Sequence, residues 1–470
     1  MIVRLVFSLL VSAGLGVLLL RLLWPRAAAP WRWSLGTALG LSLGAAISAM
    51  LFFVWMLAFG PARGLLPAEA ALLGVIALVA VWHGDRKLPL SAPTSGVRSS
   101  RPALLSGAVF LVVLVAAGAA FASNLMQHPH GEWDAWMNWD LKARMFYRGG
   151  EGWRAAFSPA IPWSHPDYPI MVPSLVARSW LYAGRETLLG PALVAATFTF
   201  GTVALLATAL WALRGLGQGM LAAVVLLSAP FFVIHSTSLY ADVPVGFFFL
   251  TTFVCLALDA RHGAATTRFA LLAGVAAGFS MWTKNEGLLF TLAVGAGLLL
   301  GARSAGWTAS RRRLIAFGAG ALPLFLLTAA FKIGFAPPND LISTLGIHHT
   351  LGNLASPDRY YVTVREYVRH LAAFGDNGVG TAAWVLVAYL LGVGVNRSEL
   401  ARPWVRVGAA ALVLVLAVHF MVFVSMAHEL SRLLASSLER LLLQVWPAML
   451  FWFFMVVRAP EEVGATTQFR

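Results

Sequence analysis

Apolar residues run along this chain in long unbroken blocks, separated by shorter polar segments where Arg, Pro and Gly concentrate. A helix needs about 20 apolar residues to cross the hydrocarbon core. In lipid each block must also satisfy its own backbone hydrogen bonds, so each is predicted to be a helix. A β-barrel would show short alternating segments instead, and the sequence has none. The blocks are Val3–Trp24, Ser34–Phe59, Leu65–Trp82, Ala103–Phe121, Leu188–Leu213, Met220–Ile234, Val243–Leu258, Phe269–Trp282, Leu288–Leu300, Leu314–Phe335, Thr381–Val395, Val407–Val424 and Leu441–Val457. They predict an all-α, polytopic transmembrane bundle with about thirteen crossings. Ile170–Ala183 is apolar but short and contains Pro173 and Arg178; it is expected to lie in or dip into the interface rather than cross. The first block is longer than a signal-peptide core and has Arg21 and Arg26 at its far end, so it reads as a retained helix.

Basic residues set the expected orientation. Arg86, Lys87, Arg98 and Arg101 crowd one loop; Arg261 and Arg268, Arg303 with Arg311, Arg312 and Arg313, and Arg397 with Arg402 and Arg406 crowd others. Alternation along the blocks puts all of these on one side, which is expected to be cytoplasmic. The opposite side then carries Asn124–Tyr168, Tyr240–Asp242, Lys284–Glu286, Pro337–Gly380 and His428–Arg440. Three regions result: 1–102 with the first helices and a basic loop, a core 103–335 containing the large outer loop 124–168, and 336–470 with a second outer loop and the last helices.

Composition agrees with this reading. The 470 residues are 59% hydrophobic and 11% charged, against roughly 25% charged in soluble domains. The net charge of +14 sits mostly in the short basic loops, so it speaks for membrane orientation and not for nucleic acid. A single cysteine, Cys255, allows no internal disulfide and excludes thiolate metal clusters.

The outer segments hold the unusual chemistry. Within about twenty residues, Glu132, Asp134 and Asp140 alternate with Lys142, Arg144 and three tryptophans, Trp133, Trp136 and Trp139, that suit a bilayer interface. On one interfacial helix Lys142 would fall two turns from Asp134, on nearly the same face. His165 and Asp167 follow, pinned between prolines. Asp242 and the Lys284, Glu286 pair sit at the ends of apolar blocks, where ionisable groups are costly unless they face a watery site. Each alone could cap a helix; together on one side they suggest the rim of one cavity. The acids with His165 and His428 could bind a divalent ion, but no ligand spacing is diagnostic and no cofactor is indicated; His348-His349 reads as a solvated loop pair.

These residues resemble the GT-C superfamily of membrane glycosyltransferases, in its bacterial protein-mannosyltransferase-like branch that includes aminoarabinose-transferase relatives. The resemblance runs from about Ala103 to about Trp282. It rests on Glu132-Trp-Asp134, a Lys/Arg helix ending at Gly149-Gly150 with Trp153, the His165-Pro-Asp167-Tyr-Pro segment, and the Ala241-Asp242 and Thr283-Lys284 turns. Two departures stand: Glu-x-Asp replaces the family's Asp-Glu, and the segment from Ser437 to Pro447 is only similar to the family's C-terminal motif.

The resemblance implies a cell-envelope enzyme in the bacterial inner membrane. It would move a sugar from a polyprenyl-phosphate donor to a hydroxyl on a glycan, lipid or protein acceptor outside the cytoplasm. Such a reaction needs a carboxylate to accept the hydroxyl proton and cations to receive the departing phosphate charge. Asp134 is the first expected base and Glu132 the second, with Asp242 in support. Lys142, Arg144, Arg440 and His428 are the expected phosphate cations, and His165, Asp167, Lys284 and Glu286 orient the loops or substrate. The alternative is a secondary transporter or flippase for lipid-linked sugars, whose charges would lie near the midplane between two related halves. A non-catalytic assembly protein would need no clustered acids.

Overall fold

The computed structural model describes residues 1–24, 31–60, 64–82, 101–262, 266–338, 347–374, 382–426, 429–459 and 462. Over the described residues the apolar blocks form helices, one of them broken at Ser228 and Ala229. The helices are α1 (Ile2–Leu23), α2 (Trp31–Phe59), α3 (Leu65–Trp82), α4 (Arg101–Gln127), α5 (Asp140–Arg148), α6 (Met171–Ala183), α7 (Leu189–Arg214), α8 (Leu216–Leu227), α9 (Pro230–Ser236) and α10 (Asp242–His262). They continue with α11 (Arg268–Thr283), α12 (Glu286–Ala305), α13 (Trp307–Gly334), α14 (Ile347–Leu354), α15 (Pro357–Ala372), α16 (Ala382–Val393), α17 (Arg397–Leu400), α18 (Pro403–Ser425) and α19 (Leu430–Val456). Among the described residues no strand forms beyond an isolated bridge between Val395 and Val457.

Nine of these helices are long and apolar enough to cross a membrane, and the α8–α9 pair, bent by 68°, makes a tenth if taken as one broken span. The remaining blocks of the thirteen expected fall below that length. Three helices make the difference: α11 has 16 residues, α16 has 12, and the apolar part of α12, Glu286–Ala302, is also under 18. Pro230 at the first position of α9 explains the break, since it suits a helix start but cannot donate to the preceding turn. The short segment expected at the interface is α6, a 13-residue helix buried along nearly its whole length and closed by Gly184 at φ 75°.

α10 is the axis of the bundle, with 94% of its membrane-length window buried. Its phenylalanines pack on three neighbours: Phe247 on Phe198 of α7, Phe248 on Phe279 of α11, and Phe249 on Phe290 of α12 at 3.9 Å. By contrast only 11% of the corresponding window of α4 is buried, which leaves a face for lipid. Helices approach most closely where glycine removes the side chain. A Cβ at Gly44 of α2 would sit 1.8 Å from the Ser12 carbonyl of α1, and one at Gly274 of α11 would sit 1.9 Å from the Phe317 carbonyl of α13. Small residues at such crossings let backbones pack where lipid supplies no hydrophobic driving force.

Two segments expected as outer loops are partly helical. The Pro337–Gly380 segment contains α14 and α15, and Arg359 of α15 donates to the carbonyls of Phe423, Val424 and Met426 at the end of α18. That satisfies acceptors a helix C-terminus otherwise leaves open. The stretch before Arg440 is not a loop re-entering the membrane at Leu441: α19 starts at Leu430 and continues through Arg440. Leu430, Leu434, Leu438 and Leu442 are buried at a four-residue spacing that carries one apolar stripe across the polar stretch.

The ends of the bundle differ in charge chemistry. One end carries the pairs Arg261–Glu399 at 2.8 Å, Arg313–Asp259 at 2.6 Å and Arg214–Glu462 at 3.2 Å. The other, where α10 begins, carries the acidic cluster described next.

Candidate active site

The polar loop after α4 enters its first helix through a π-helical turn, Ala135–Trp139, before α5. This extra residue per turn undoes the simple helical spacing expected between Asp134 and Lys142. Asp134 turns toward α19 and Lys142 toward the loop interior. The Asp134 backbone N–H donates to Tyr240 Oη at 3.1 Å, and the Glu132 N–H donates to the Ser238 carbonyl at 3.2 Å. These bonds fasten the loop to the α9–α10 turn.

Asp242, at the first position of α10, is completely buried and is the hub of the site. Its carboxylate accepts from Lys284 Nζ at 2.8 Å, Gln444 Nε2 at 2.7 Å and Arg440 at 3.1 Å, and lies 3.2 Å from His235 Nε2. The Arg440 guanidinium also reaches Asp134 at 2.8 Å and stacks over the Tyr240 ring at 4.6 Å. Lys284 holds Glu286 at 2.9 Å. The chain of charge is therefore Asp134, Arg440, Asp242, Lys284, Glu286, drawn from four separate parts of the sequence. Asp134 and Arg440 keep 22% and 24% of their side-chain surface exposed, while Asp242 keeps none. The reachable parts of the cluster are Asp134 with Arg440 at one end and Glu286, 20% exposed, at the other.

Burial works against the Lys284 charge, but Asp242 and Glu286 outweigh it and raise its pKa, so it stays a cation. Tyr240, half-enclosed beside this network, is pushed up to about 12 chiefly by burial. It acts as a hydrogen-bond acceptor for the loop and a stacking face for Arg440, not as an acid.

A second polar group lies next to the first. Lys142 is fully buried and donates to Asn138 Oδ1 at 2.6 Å and the His165 carbonyl at 2.7 Å. With no carboxylate in direct contact, burial lowers its pKa to about 7, and Asp167 offsets this only in part. Asp140 is buried too, and burial raises its carboxyl to about 7 against the pull of Arg144. His165 adopts a left-handed backbone, φ 44°, and stacks on Tyr168 at 4.8 Å. Asp167 accepts from Asn285 at 3.1 Å and Lys332 at 3.2 Å, tying the loop to the turn before α12 and to α13.

The expected residues thus separate. Asp134, Asp242, Arg440, Lys284 and Glu286 meet in one network. Lys142, His165 and Asp167 form the adjoining group. Glu132 is exposed and lies 3.9 Å from His128, and Arg144 pairs with Glu186 at 3.6 Å. His428 lies outside the described residues.

Three participants carried no expected role. Gln444 follows Arg440 by four residues, one turn along the same face, so a polar residue inside an apolar span was the available signal. His235 sits at the end of an apolar block, and Lys332 near the end of another. His419 of α18 is buried with both ring nitrogens lacking a partner among the described residues. No group of three or more His, Cys, Asp or Glu among the described residues is arranged to hold a metal.

No family model, curated protein or solved structure matches the chain at a significant level.

Proposed function

We propose that this protein is a membrane glycosyltransferase that moves a sugar from a polyprenyl-phosphate donor to an acceptor hydroxyl on the outer side of the membrane. The observation that carries the reading is the charged chain ending in a reachable carboxylate, Asp134, braced by Arg440 against the buried Asp242. In the reaction the acceptor oxygen bonds to the anomeric carbon as the bond from that carbon to the phosphate oxygen breaks. Asp134 takes the hydroxyl proton, and polyprenyl phosphate leaves with the bonding electrons. Glu132, exposed two residues earlier, is the second choice for the base.

The same geometry revises the cation roles. Arg440 is committed to two carboxylates, so its role in this scheme is to position Asp134. Lys142, pushed toward neutrality by burial, regains its charge when a phosphate arrives nearby. A groove of about 710 Å³ opens beside α11, α12 and α13, with Met281, Leu288 and Phe325 on its apolar wall and Asn285 and Lys332 at its polar mouth. Asn285 lies between Lys284 and Glu286 in sequence, so the mouth adjoins the network. An isoprenoid chain suits the wall and a phosphate suits the mouth. Preorganised cations at the developing charge are the usual large contribution to such a transfer.

The test is to incubate purified protein with a panel of labelled polyprenyl-phosphate sugars and measure release of polyprenyl phosphate. Release with one donor, dependent on an acceptor, is expected. Movement of intact donor across a vesicle bilayer without cleavage would favour the transport reading.

A further inference from the structure

At the end of the bundle opposite the acidic network is a second polar pocket. Asp259 lies seventeen residues after Asp242 on α10, about 25 Å along the helix axis. There the ends of α10, α12, α13 and α18 enclose a cavity of about 200 Å³ lined by Asp259, Ser310, Arg313, Arg402, Trp404 and the apolar Leu298. The lining holds both signs of charge. Arg313 Nε donates to Asp259 Oδ2 at 2.6 Å, while Arg402 approaches Glu399 at 2.9 Å.

Two groups of this lining have hydrogen-bonding capacity that the described protein leaves unused. Asp259 is 2% exposed, and its Oδ1 has no donor. Trp404 is 5% exposed, and its Nε1 has no acceptor. Buried polar atoms of this kind cost free energy unless a partner meets them. The Arg402 Nε, though close to Glu399, also lacks an aligned acceptor. Trp404 and Pro403 form the first turn of α18, whose N-terminus carries no side-chain cap, so backbone N–H groups add to the positive field there. The pocket thus asks for an acceptor-rich anion near Arg402 and Trp404 and a hydrogen-bond-donating cation near Asp259.

We propose that this pocket binds the headgroup of an aminophospholipid, with the phosphate at Arg402, Arg313 and Trp404 and the primary ammonium at Asp259 Oδ1. A zwitterion matches a lining of both signs. Phosphatidylcholine has no N–H to give Asp259, and phosphatidylglycerol brings no cation. The location at a helix-bundle end flanked by arginines is where headgroup pockets form. The inference is independent of the transfer chemistry at the other end.

The test titrates purified protein in detergent with dihexanoyl phosphatidylethanolamine, dihexanoyl phosphatidylcholine, dihexanoyl phosphatidylglycerol and soluble phosphoethanolamine, following the thermal midpoint. Phosphatidylethanolamine is expected to bind at least about tenfold more tightly than the other two lipids, and phosphoethanolamine to give no shift over the same range. Asp259→Asn should erase the preference over phosphatidylcholine, and Arg402→Gln should weaken all three lipids. Because Asp259→Asn also removes the partner of Arg313, the quantity compared is the ratio of affinities within each variant. Trp404→Phe, which removes the N–H together with part of the indole ring, gives a second variant expected to weaken phosphatidylethanolamine binding. Equal affinity for the three lipids, or tighter binding of phosphatidylglycerol, would overturn the proposal. Saturation by phosphoethanolamine alone would assign the pocket to a soluble phosphate compound instead and overturn the lipid assignment.

Discussion

Asp134 and Asp242 sit on either side of one guanidinium, yet they are expected to fail differently when changed to Asn. Asp242 is fully buried and receives Lys284, Gln444 and Arg440 at 2.7 to 3.1 Å. In Asp242→Asn one side of the group becomes an NH2 that meets other donors, and Arg440 and Lys284 lose their shared acceptor. Removing one member of a buried ion pair costs about 3 to 5 kcal/mol. Lys284 keeps Glu286 at 2.9 Å and Arg440 keeps Asp134 at 2.8 Å, which places the loss toward the lower end, about 3 kcal/mol. Asp134 is partly exposed and has one cationic partner, so Asp134→Asn should cost about 1 kcal/mol or less. If Asp134 is the base, the same change slows transfer by on the order of 10² to 10⁴. Unfolding of both variants in detergent by rising SDS, beside sugar transfer at saturating donor, separates the two effects. Equal destabilisation by the two substitutions would refute the division into buried hub and reactive rim.

Other consequences follow from the packing and the charges. Arg178 and Glu69 form a buried pair at 2.8 Å between α6 and α3, so Arg178→Gln should destabilise by about 3 kcal/mol or more in the same unfolding assay, and a second change, Glu69→Gln, should restore part of it. Gly44→Leu should prevent α1 and α2 from docking and abolish folded protein on size-exclusion chromatography, whereas Gly36→Leu, with open space around its Cβ position, should be tolerated. Asp140 is raised to about 7 and Lys142 lowered to about 7, chiefly by burial. Between the usual carboxylate range and pH 7 the folded protein holds the extra Asp140 proton, so that contribution falls as pH rises. Between pH 7 and the usual lysine range the unfolded chain holds the extra Lys142 proton, so stability rises again, each limb at no more than about 1.4 kcal/mol per pH unit. Asp140→Asn should flatten the acid limb and Lys142→Met the alkaline limb of a stability profile from pH 4 to 10.

The apolar blocks made the helical architecture legible, because a run of Leu, Val, Ala and Phe in lipid has few alternatives to a helix. The number of crossings was less legible, because apolarity alone does not tell a span from a short helix such as α11, which has 16 residues. Of the site, Asp134, Asp242, Arg440, Lys284 and Glu286 stood out as ionisable groups beside apolar runs. Their pairing did not: the Arg440–Asp242 contact joins residues 198 positions apart, which local spacing cannot encode. The expected alignment of Lys142 with Asp134 failed on one local feature, the π-turn at Ala135–Trp139. His235 and Lys332 became visible only once Asp242 and Asp167 supplied partners for them, whereas Gln444 carried a signal as a polar residue inside an apolar span.

The central claim is that the Asp134 end of this network breaks a sugar–phosphate bond. The most direct measurement compares wild type with Asp134→Asn in donor binding and in acceptor-dependent release of polyprenyl phosphate, with the donor identified from the panel. The variant is expected to bind donor within about twofold of wild type and to release polyprenyl phosphate at least about 100-fold more slowly. Undiminished release by both Asp134→Asn and Glu132→Gln would contradict it, and so would a wild-type protein that binds the donor and never cleaves it.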